Sequence, residues 1–224
     1  MRYSTVLFDL DGTLVDSIPD LTHSINAMLL ELGYTAVSED TVRHWVGKGA
    51  EHLVAEALQH ASSTPVGTPL FNQALQLFLQ QYHRQNENTV SRLFPQVAEG
   101  LELFKQSGYR LAIVTNKPLQ FVPSLLQHMG IAHYFELLVG GDTCAHKKPH
   151  PMPYLYACEQ LGIQPHEALI IGDSSNDSLA ARQAGIDVLL VPYGYDAQQR
   201  VHTLDCDGIV STIVDAAHWA NTPH

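Results

Sequence analysis

The stretch VLFDLDGTLVDS (residues 6–17) places two aspartates, Asp9 and Asp11, at the end of a short apolar run. The run has the length and the β-rich composition of a buried strand. In a strand, residues i and i+2 face the same side, so we expect both carboxylates to project together from its carboxyl end. Neighbouring carboxylates repel each other unless a cation or a shared proton relieves the repulsion. The stretch therefore predicts that this strand end binds a cation or shares a proton.

Four further apolar runs have the same strand-like composition. They are RLAIVT (110–115), FELLVG (135–140), ALIIGD (168–173) and DVLLVP (187–192). Segments with helical spacing lie between them, and three of these segments close with a glycine, at Gly130, Gly162 and Gly185. Glycine is common just past the end of a helix. The alternation of strand and helix predicts an α/β fold with a doubly wound parallel sheet.

Residues 16–91 interrupt this alternation, because apolar residues recur there at helical spacing and no strand candidate is found. The stripes are Leu21, Ile25, Met28, Leu29 and Leu32, then Leu53, Val54, Ala57 and Leu58, then Leu70, Ala74, Leu75, Phe78 and Tyr82. Ser38, followed by Glu39 and Asp40, predicts the start of another helix. SSTPVGTP (62–69) predicts an internal loop. We expect an all-helical insertion at residues 16–91 in a core formed by residues 1–15 and 92–224.

The overall composition excludes several classes of protein. A chain of 224 residues, 45% of them hydrophobic, is long enough for one domain with a smaller insertion. Its formal charge of −11 opposes binding to a nucleic acid polymer or to an anionic membrane. No apolar run approaches the roughly 20 residues that span a bilayer, and the N-terminal run is too short for a secretory leader. Three cysteines without a CxxC pair argue against a disulfide framework or a zinc site, so we expect a cytoplasmic protein.

Polar side chains follow the other predicted core strands at matching positions. They are Thr115 and Asn116 after the second strand, Lys147 and Lys148 after the third, and Asp173 and Asp177 after the fourth. Taken alone, each pair has an ordinary explanation as a turn, a solvated loop or a helix cap. The carboxyl ends of parallel strands share one edge, where open α/β sheets bind ligands. The set therefore predicts a binding site at that edge, where the Thr115 hydroxyl and the Asn116 amide can donate to phosphate oxygens.

The ordered set of DLDGT, the threonine of VTN, the lysine before proline and GDSSND resembles the motifs of the haloacid dehalogenase superfamily of aspartyl-phosphate phosphatases. That resemblance implies a Rossmann-like core in which Asp9 is the nucleophile and Asp11 the general acid/base. It also implies that Lys148, rather than Lys147, is the buried cation that balances the charge. The implied substrate-binding residues are Gly12, Thr13, Thr115 and Asn116, and the implied metal-binding residues are Asp9, Asp11, Asp173 and Asp177.

A charge count favours a metal at this site. Four carboxylates and one lysine leave three negative charges before an anionic phosphate arrives. A divalent cation and a proton on Asp11 would bring the sum to zero. Hard oxygen ligands, without a converging cluster of histidine or cysteine, favour Mg²⁺ over Zn²⁺. His146 and His150, which flank the two lysines, are interpreted as exposed loop residues.

The helical insertion resembles the movable cap of this superfamily, which closes over the site and excludes water. Within it, WVGKGA (45–50) places Lys48 between two glycines, where it can reach a carboxylate of the substrate. This stretch, together with VTNKP (114–118), GGDT (140–143) and VPYGY (191–195), resembles bacterial phosphoglycolate phosphatases.

The resemblance implies Mg²⁺-dependent hydrolysis of 2-phosphoglycolate, a small anionic phosphate ester, by a monomer or homodimer. Three alternatives stay open. The protein is a phosphatase of sugar phosphates, nucleotides or pyrophosphate, or a phosphomutase on the β-phosphoglucomutase plan, or a catalytically inactive binding domain. The last alternative predicts the loss of at least one motif, and none is lost.

Overall fold

The computed structural model describes residues 2–62, 65–195 and 201–222. The strands are β1 (Thr5–Phe8), β2 (Val15–Asp16), β3 (Arg92–Leu93), β4 (Arg110–Val114), β5 (Phe135–Val139), β6 (Ala168–Gly172), β7 (Asp187–Leu190) and β8 (Gly208–Ile209). The α-helices are α1 (Ile18–Glu31), α2 (Glu39–Arg43), α3 (Ala50–Ala61), α4 (Thr68–Glu87), α5 (Val97–Gln106), α6 (Val122–His128), α7 (Met152–Leu161), α8 (Ser175–Ala184) and α9 (Ile213–Asn221). None of the described helices is long and apolar enough to cross a bilayer.

Six strands form one parallel sheet in the order β5-β4-β1-β6-β7-β8. β1 lies between β4 and β6, with Leu7 opposite Ala112 on one side and Ile170 on the other. The five predicted strands are confirmed, and so is the doubly wound parallel sheet. β8 was not predicted, because two residues are too few to show a strand pattern.

Both faces of the sheet are covered, which explains why its strands are apolar throughout. Val6 and Phe8 of β1 pack in the core under α5, α6 and α9, whereas Leu7 packs in the core under α7 and α8. The predicted helix ends are also confirmed. Gly162 and Gly185 follow α7 and α8 in the left-handed conformation that glycine adopts without strain.

Helices α1 to α4 pack around a third hydrophobic core of their own. The predicted stripes form this core, with Ile25, Val54 and Phe78 buried in it. Ser38 caps α2, as predicted, by accepting a hydrogen bond from the Thr41 amide. Of the predicted loop at 62–69, residues 63 and 64 lie outside the described residues.

A two-stranded antiparallel ribbon joins the two ends of the helical segment. In it Val15 pairs with Leu93 and Asp16 pairs with Arg92. No strand was expected within residues 16–91, so the placement of Asp16 in β2 corrects that expectation. The reason is again length, since each strand of the ribbon has two residues. The ribbon holds the entry and the exit of the helical segment side by side.

Candidate active site

Asp9 directly follows β1, and its backbone amide continues the sheet by donating to the Ile171 carbonyl at 2.9 Å. The chain then turns at Gly12, whose φ of +89° favours glycine. A Cβ at Gly12 would lie 2.4 Å from Asp173 Oδ2, so glycine also allows Asp173 to approach. Thr13 is fully buried, and its hydroxyl has no hydrogen-bond partner among the described residues. Neither Gly12 nor Thr13 is among the described residues that line the cavity between Asp9 and the helical segment.

Lys148 lies at the centre of the site, with its side chain 2% exposed. Its Nζ lies 2.9 Å from Asp9 Oδ1, 2.7 Å from Asp177 Oδ1 and 2.7 Å from the Val114 carbonyl. Asn116 holds the backbone of Lys148, because its side chain accepts from the Lys148 amide at 3.0 Å and donates to the Lys148 carbonyl at 2.9 Å. The prediction that Lys148 is the buried lysine is confirmed.

Lys147 points elsewhere, toward the helical segment. Its Nζ forms an ion pair with Glu51 of α3 at 2.5 Å. His146 and His150 are both exposed, as expected for loop histidines, and their rings stack on each other.

Three buried carboxylates converge beside Lys148. Oxygens of Asp9, Asp173 and Asp177 all lie within 4.8 Å of one another. Asp177 lies in the first turn of α8, where it forms a capping box with Ser174 and accepts a hydrogen bond from the Tyr154 hydroxyl at 2.9 Å. Asp173 accepts a hydrogen bond from the Tyr195 amide at 2.7 Å.

The electrostatics of this cluster fit a divalent cation. Burial, followed by the charges of Asp9 and Asp177, raises the pKa of Asp173 well above its usual range. Burial also raises the pKa of Asp9 to about 6, although Lys148 opposes the rise. Burial acts in the same direction on Asp177, but Lys148 outweighs it and leaves the pKa of Asp177 below its usual value. The cluster thus holds more negative charge than Lys148 neutralises, which is the environment that hard cations occupy.

Asp11 lies outside this cluster and has its own cation. Lys117 Nζ lies 2.9 Å from both carboxylate oxygens of Asp11, and the Ser17 hydroxyl donates to the same carboxylate. The predicted site lacked Lys117. Its position two residues after Thr115, within VTNKP, was the available signal. The charge count is corrected accordingly. Four carboxylates and two lysines leave two negative charges, which equal in size the charge of one divalent cation.

A cavity of about 40 Å³ opens between these groups and the helical segment. One water molecule needs roughly 10–15 Å³ of such volume, so the cavity has room for roughly three water molecules. The lining residues are Asp9, Asp11, Leu21, Val46, Gly47, Gly49, Ala50, Leu53, Phe78, Tyr82, Thr115, Asn116, Lys117, Pro118 and Phe121. Its floor is polar and its roof, contributed by α1, α3 and α4, is mostly apolar.

Thr115 and Asn116, two of the predicted substrate ligands, differ in whether they have a hydrogen-bond donor left for a ligand. Thr115 Oγ1 accepts a hydrogen bond from the Lys117 amide at 3.2 Å, which leaves its own hydroxyl proton for a ligand. Asn116 also lines the cavity, but its side-chain amide donates to the Lys148 carbonyl and, at 2.9 Å, to the Gly47 carbonyl. Both hydrogen-bond donors of its side chain are therefore used within the protein. Through these bonds Asn116 holds the turn at Gly47 and the loop at Lys148 in place.

Lys48 does not join the predicted site residues in the cavity. It is exposed and lines a second cleft with Arg43 and His44, and the predicted site residues Asp11 and Asp173 line that same cleft. The two glycines beside it adopt left-handed conformations, with φ of +110° at Gly47 and +91° at Gly49. This turn brings the Gly47 carbonyl down onto Asn116 and Asn176, and it directs the lysine to the other cleft.

A family model of haloacid dehalogenase-like hydrolases matches residues 6–191. A phosphoglycolate phosphatase of Nitrosospira multiformis is 44% identical over 214 residues, covering 94% of this chain and 92% of that protein. One of Colwellia psychrerythraea is 46% identical over 193 residues, covering 85% of each. The crystal structure of a predicted phosphoglycolate phosphatase from Haemophilus somnus is 37% identical, with a TM-score of 0.92 over 99% of both chains. The matched region of the family model contains all four motifs, from Asp9 to Asp177.

Proposed function

The chain belongs to the haloacid dehalogenase-like hydrolase family, and we propose on that basis that it hydrolyses 2-phosphoglycolate to glycolate and phosphate with Mg²⁺. The observation that carries the proposal is the position of Asp9. Its carboxylate lies at the carboxyl edge of the sheet, 2.9 Å from a buried lysine, and borders a cavity suited to a small ligand.

Asp9 acts as the nucleophile in this proposal. One of its oxygens attacks phosphorus, the bond from phosphorus to the ester oxygen breaks, and an aspartyl phosphate forms. Water then attacks the phosphorus of that intermediate, which releases phosphate and restores Asp9. Lys148 supports this role because it holds one Asp9 oxygen and orients the carboxylate. Phosphoryl transfer depends mainly on such positioning and on charge stabilisation.

Thr115 and Asp11 serve the two ends of the ester. Thr115 donates its hydroxyl to a phosphoryl oxygen, which agrees with its free hydroxyl proton on the cavity wall. Asp11 in its protonated form gives that proton to the leaving oxygen, and the carboxylate that results later takes a proton from the attacking water. Its place on the wall of the cavity, two residues after Asp9, supports this division of labour.

Mg²⁺ is the cation that we propose for the carboxylate cluster. Asp9 and Asp173 would hold it, with Asp177 beside them bound to Lys148. When bound, the metal would neutralise charge on the phosphoryl group as it transfers. All ligand atoms offered here are carboxylate oxygens, which Mg²⁺ prefers.

We also propose that residues 16–91 form a cap over the cavity. Support comes from their separate hydrophobic core and from the contacts of Gly47 with Asn116 and Asn176, which hold the segment against the sheet edge. A closed cap would exclude water and strengthen the electrostatic interactions in the cavity.

The three cysteines are all free, which supports the expected cytoplasmic location.

The substrate is proposed from two independent observations. Relatives at 44% and 46% identity carry the name phosphoglycolate phosphatase. The small cavity under an apolar roof favours a small leaving group over a sugar or a nucleoside. Lys48 lines the second cleft, which Asp11 and Asp173 also line, so it stays a rival candidate for the carboxylate ligand.

Phosphate release tests the proposal directly. The purified protein with Mg²⁺ is assayed against phosphoglycolate, sugar phosphates, nucleotides and pyrophosphate. We expect kcat/KM to be highest for phosphoglycolate and activity to disappear with EDTA. A higher kcat/KM for another ester would replace the substrate. A need for a bisphosphate primer before any turnover would favour a phosphomutase.

A further inference from the structure

Lys117 is a buried cation that has no role in the phosphoryl transfer proposed above. Its side chain is 3% exposed, and it lines the cavity on the side that faces α4. Lys148 already forms ion pairs with Asp9 and Asp177. Burying a second ammonium group costs free energy, so a position on the cavity wall indicates a task in ligand binding.

Tyr82 of α4 lines the same cavity and carries a buried hydroxyl in the neighbourhood of the Lys117 ammonium group. The residue is 2% exposed, and its hydroxyl has no hydrogen-bond partner among the described residues. Lys117 Nζ lies 4.8 Å from the centre of the Tyr82 ring. Buried hydroxyls nearly always have a partner. A lysine and an unpaired hydroxyl beside each other therefore form a place for an anion.

We propose that Lys117 and Tyr82 form the subsite for the carboxylate of the substrate, which would be a phosphorylated 2-hydroxy acid. This inference rests on the proposed function and deepens it. The roof residues Leu53 and Phe78, and Phe121 from the turn after β4, are apolar, so a carboxylate bound here would be shielded from water. Charge-assisted hydrogen bonds are strongest in such surroundings.

The subsite also connects substrate recognition to Asp11. In the free protein, Lys117 holds both oxygens of Asp11. A substrate carboxylate that binds Lys117 competes with Asp11 for this ammonium group. Asp11 is then released to face the leaving oxygen. A substrate without a carboxylate leaves Asp11 held by Lys117, so the carboxylate increases kcat as well as affinity.

The test compares phosphoglycolate with ethyl phosphate, which has the same chain length and no carboxylate. The measured quantity is the ratio of the two kcat/KM values, so that a loss common to both substrates cancels. Lys117→Met should lower the ratio roughly 10–150-fold, the value of a charge-assisted hydrogen bond. Lys117→Arg should retain more of the ratio than Lys117→Met, because it keeps the charge.

Tyr82→Phe provides a second variant that should fold normally, because the hydroxyl it removes has no partner among the described residues. It should lower the ratio roughly 2–10-fold. Lys105→Met, an exposed lysine of α5, is the matched control and should keep the parent ratio. Lys48→Met tests the rival cation of the second cleft.

The two proposals fail in different ways. If the parent enzyme prefers phosphoglycolate but Lys117→Met and Tyr82→Phe both keep its ratio, the carboxylate subsite is wrong and the proposed function stands. A fall in the ratio with Lys48→Met alone would likewise overturn the subsite and leave the proposed function in place. If the parent hydrolyses both esters equally well, the proposed substrate is wrong, and the subsite is wrong with it.

Discussion

Lys148 Nζ lies 2.9 Å from Asp9 Oδ1, and both side chains are almost completely removed from solvent. This ion pair joins the loop after β5 to the end of β1, across the end of β4, which lies between them in the sheet. The ion pair involves one Asp9 oxygen, and in the proposed mechanism the other oxygen attacks phosphorus. An asparagine at position 9 could therefore keep the contact with Lys148 and still lack the nucleophilic carboxylate.

Asp9→Asn should remove turnover while the protein stays folded. An amide cannot attack phosphorus as a carboxylate does, and Asn still offers an oxygen to Lys148. Phosphate release should fall by more than tenfold, with an unchanged circular dichroism spectrum. Asp16→Asn, in the ribbon and away from phosphorus, is the matched control. Turnover of Asp9→Asn within tenfold of the parent would remove Asp9 from the role of nucleophile.

Asp11→Asn should slow turnover in a manner that depends on the leaving group. A positioned acid/base contributes roughly 10²–10⁴-fold. We expect a loss of that size with phosphoglycolate, whose alkoxide leaving group needs a proton. The loss should be much smaller with p-nitrophenyl phosphate, whose phenolate leaves without one. Equal losses with both esters, in single-turnover measurements, would contradict the assignment of Asp11 as the acid.

Mg²⁺ should stabilise the protein more at pH 7.5 than at pH 5. The folded-state pKa of Asp9 is raised to about 6 from its usual 3.8, so its contribution to stability is present below pH 4 and is lost as pH rises through 6. A divalent cation binds the ionised form and offsets this loss. Thermal melts with EDTA or Mg²⁺ at each pH measure the difference.

Asp173→Asn is the control for this pH dependence. It removes one charge from the cluster of three, so the metal-free variant should melt higher than the parent at pH 7.5. Its response to Mg²⁺ should shrink. A Mg²⁺ shift that is equal at both pH values, or that survives Asp173→Asn, would contradict a metal site at this cluster.

Asp20 should be the most sensitive position at the base of the helical segment. Its buried carboxylate accepts hydrogen bonds from the side chains of Gln85, Thr89 and Ser91 and from the amides of Val90 and Ser91. Asp20→Ala would leave these donors unpaired, so the free energy of unfolding should fall by about 2–4 kcal/mol in urea titrations. Glu31→Ala, at the exposed end of the same helix, should change it by less than about 0.5 kcal/mol. Equal effects would mean that the Asp20 contacts contribute little.

Local patterns were enough to predict most of the fold. Each of the five long strands is an apolar run that needs no knowledge of its neighbours. Gly162 and Gly185 end their helices through their own backbone conformation, and Ser38 caps α2 through a contact three residues away. The two-residue strands were missed, because β8 and the β2–β3 ribbon exist through their partners rather than through a pattern of their own.

The sequence by itself determined which chemical groups stand at the carboxyl edge of the sheet, because each motif directly follows a strand. The tertiary structure alone decided how those groups pair. Lys117 meets Asp11 across 106 positions of the chain, and Tyr82 reaches the same cavity from α4. Lys48, in spite of its promising position between two glycines, is carried to the other cleft by their left-handed turns. Such pairings depend on which strands are neighbours and on the direction of a turn, and both are set by packing between distant segments rather than by any local pattern.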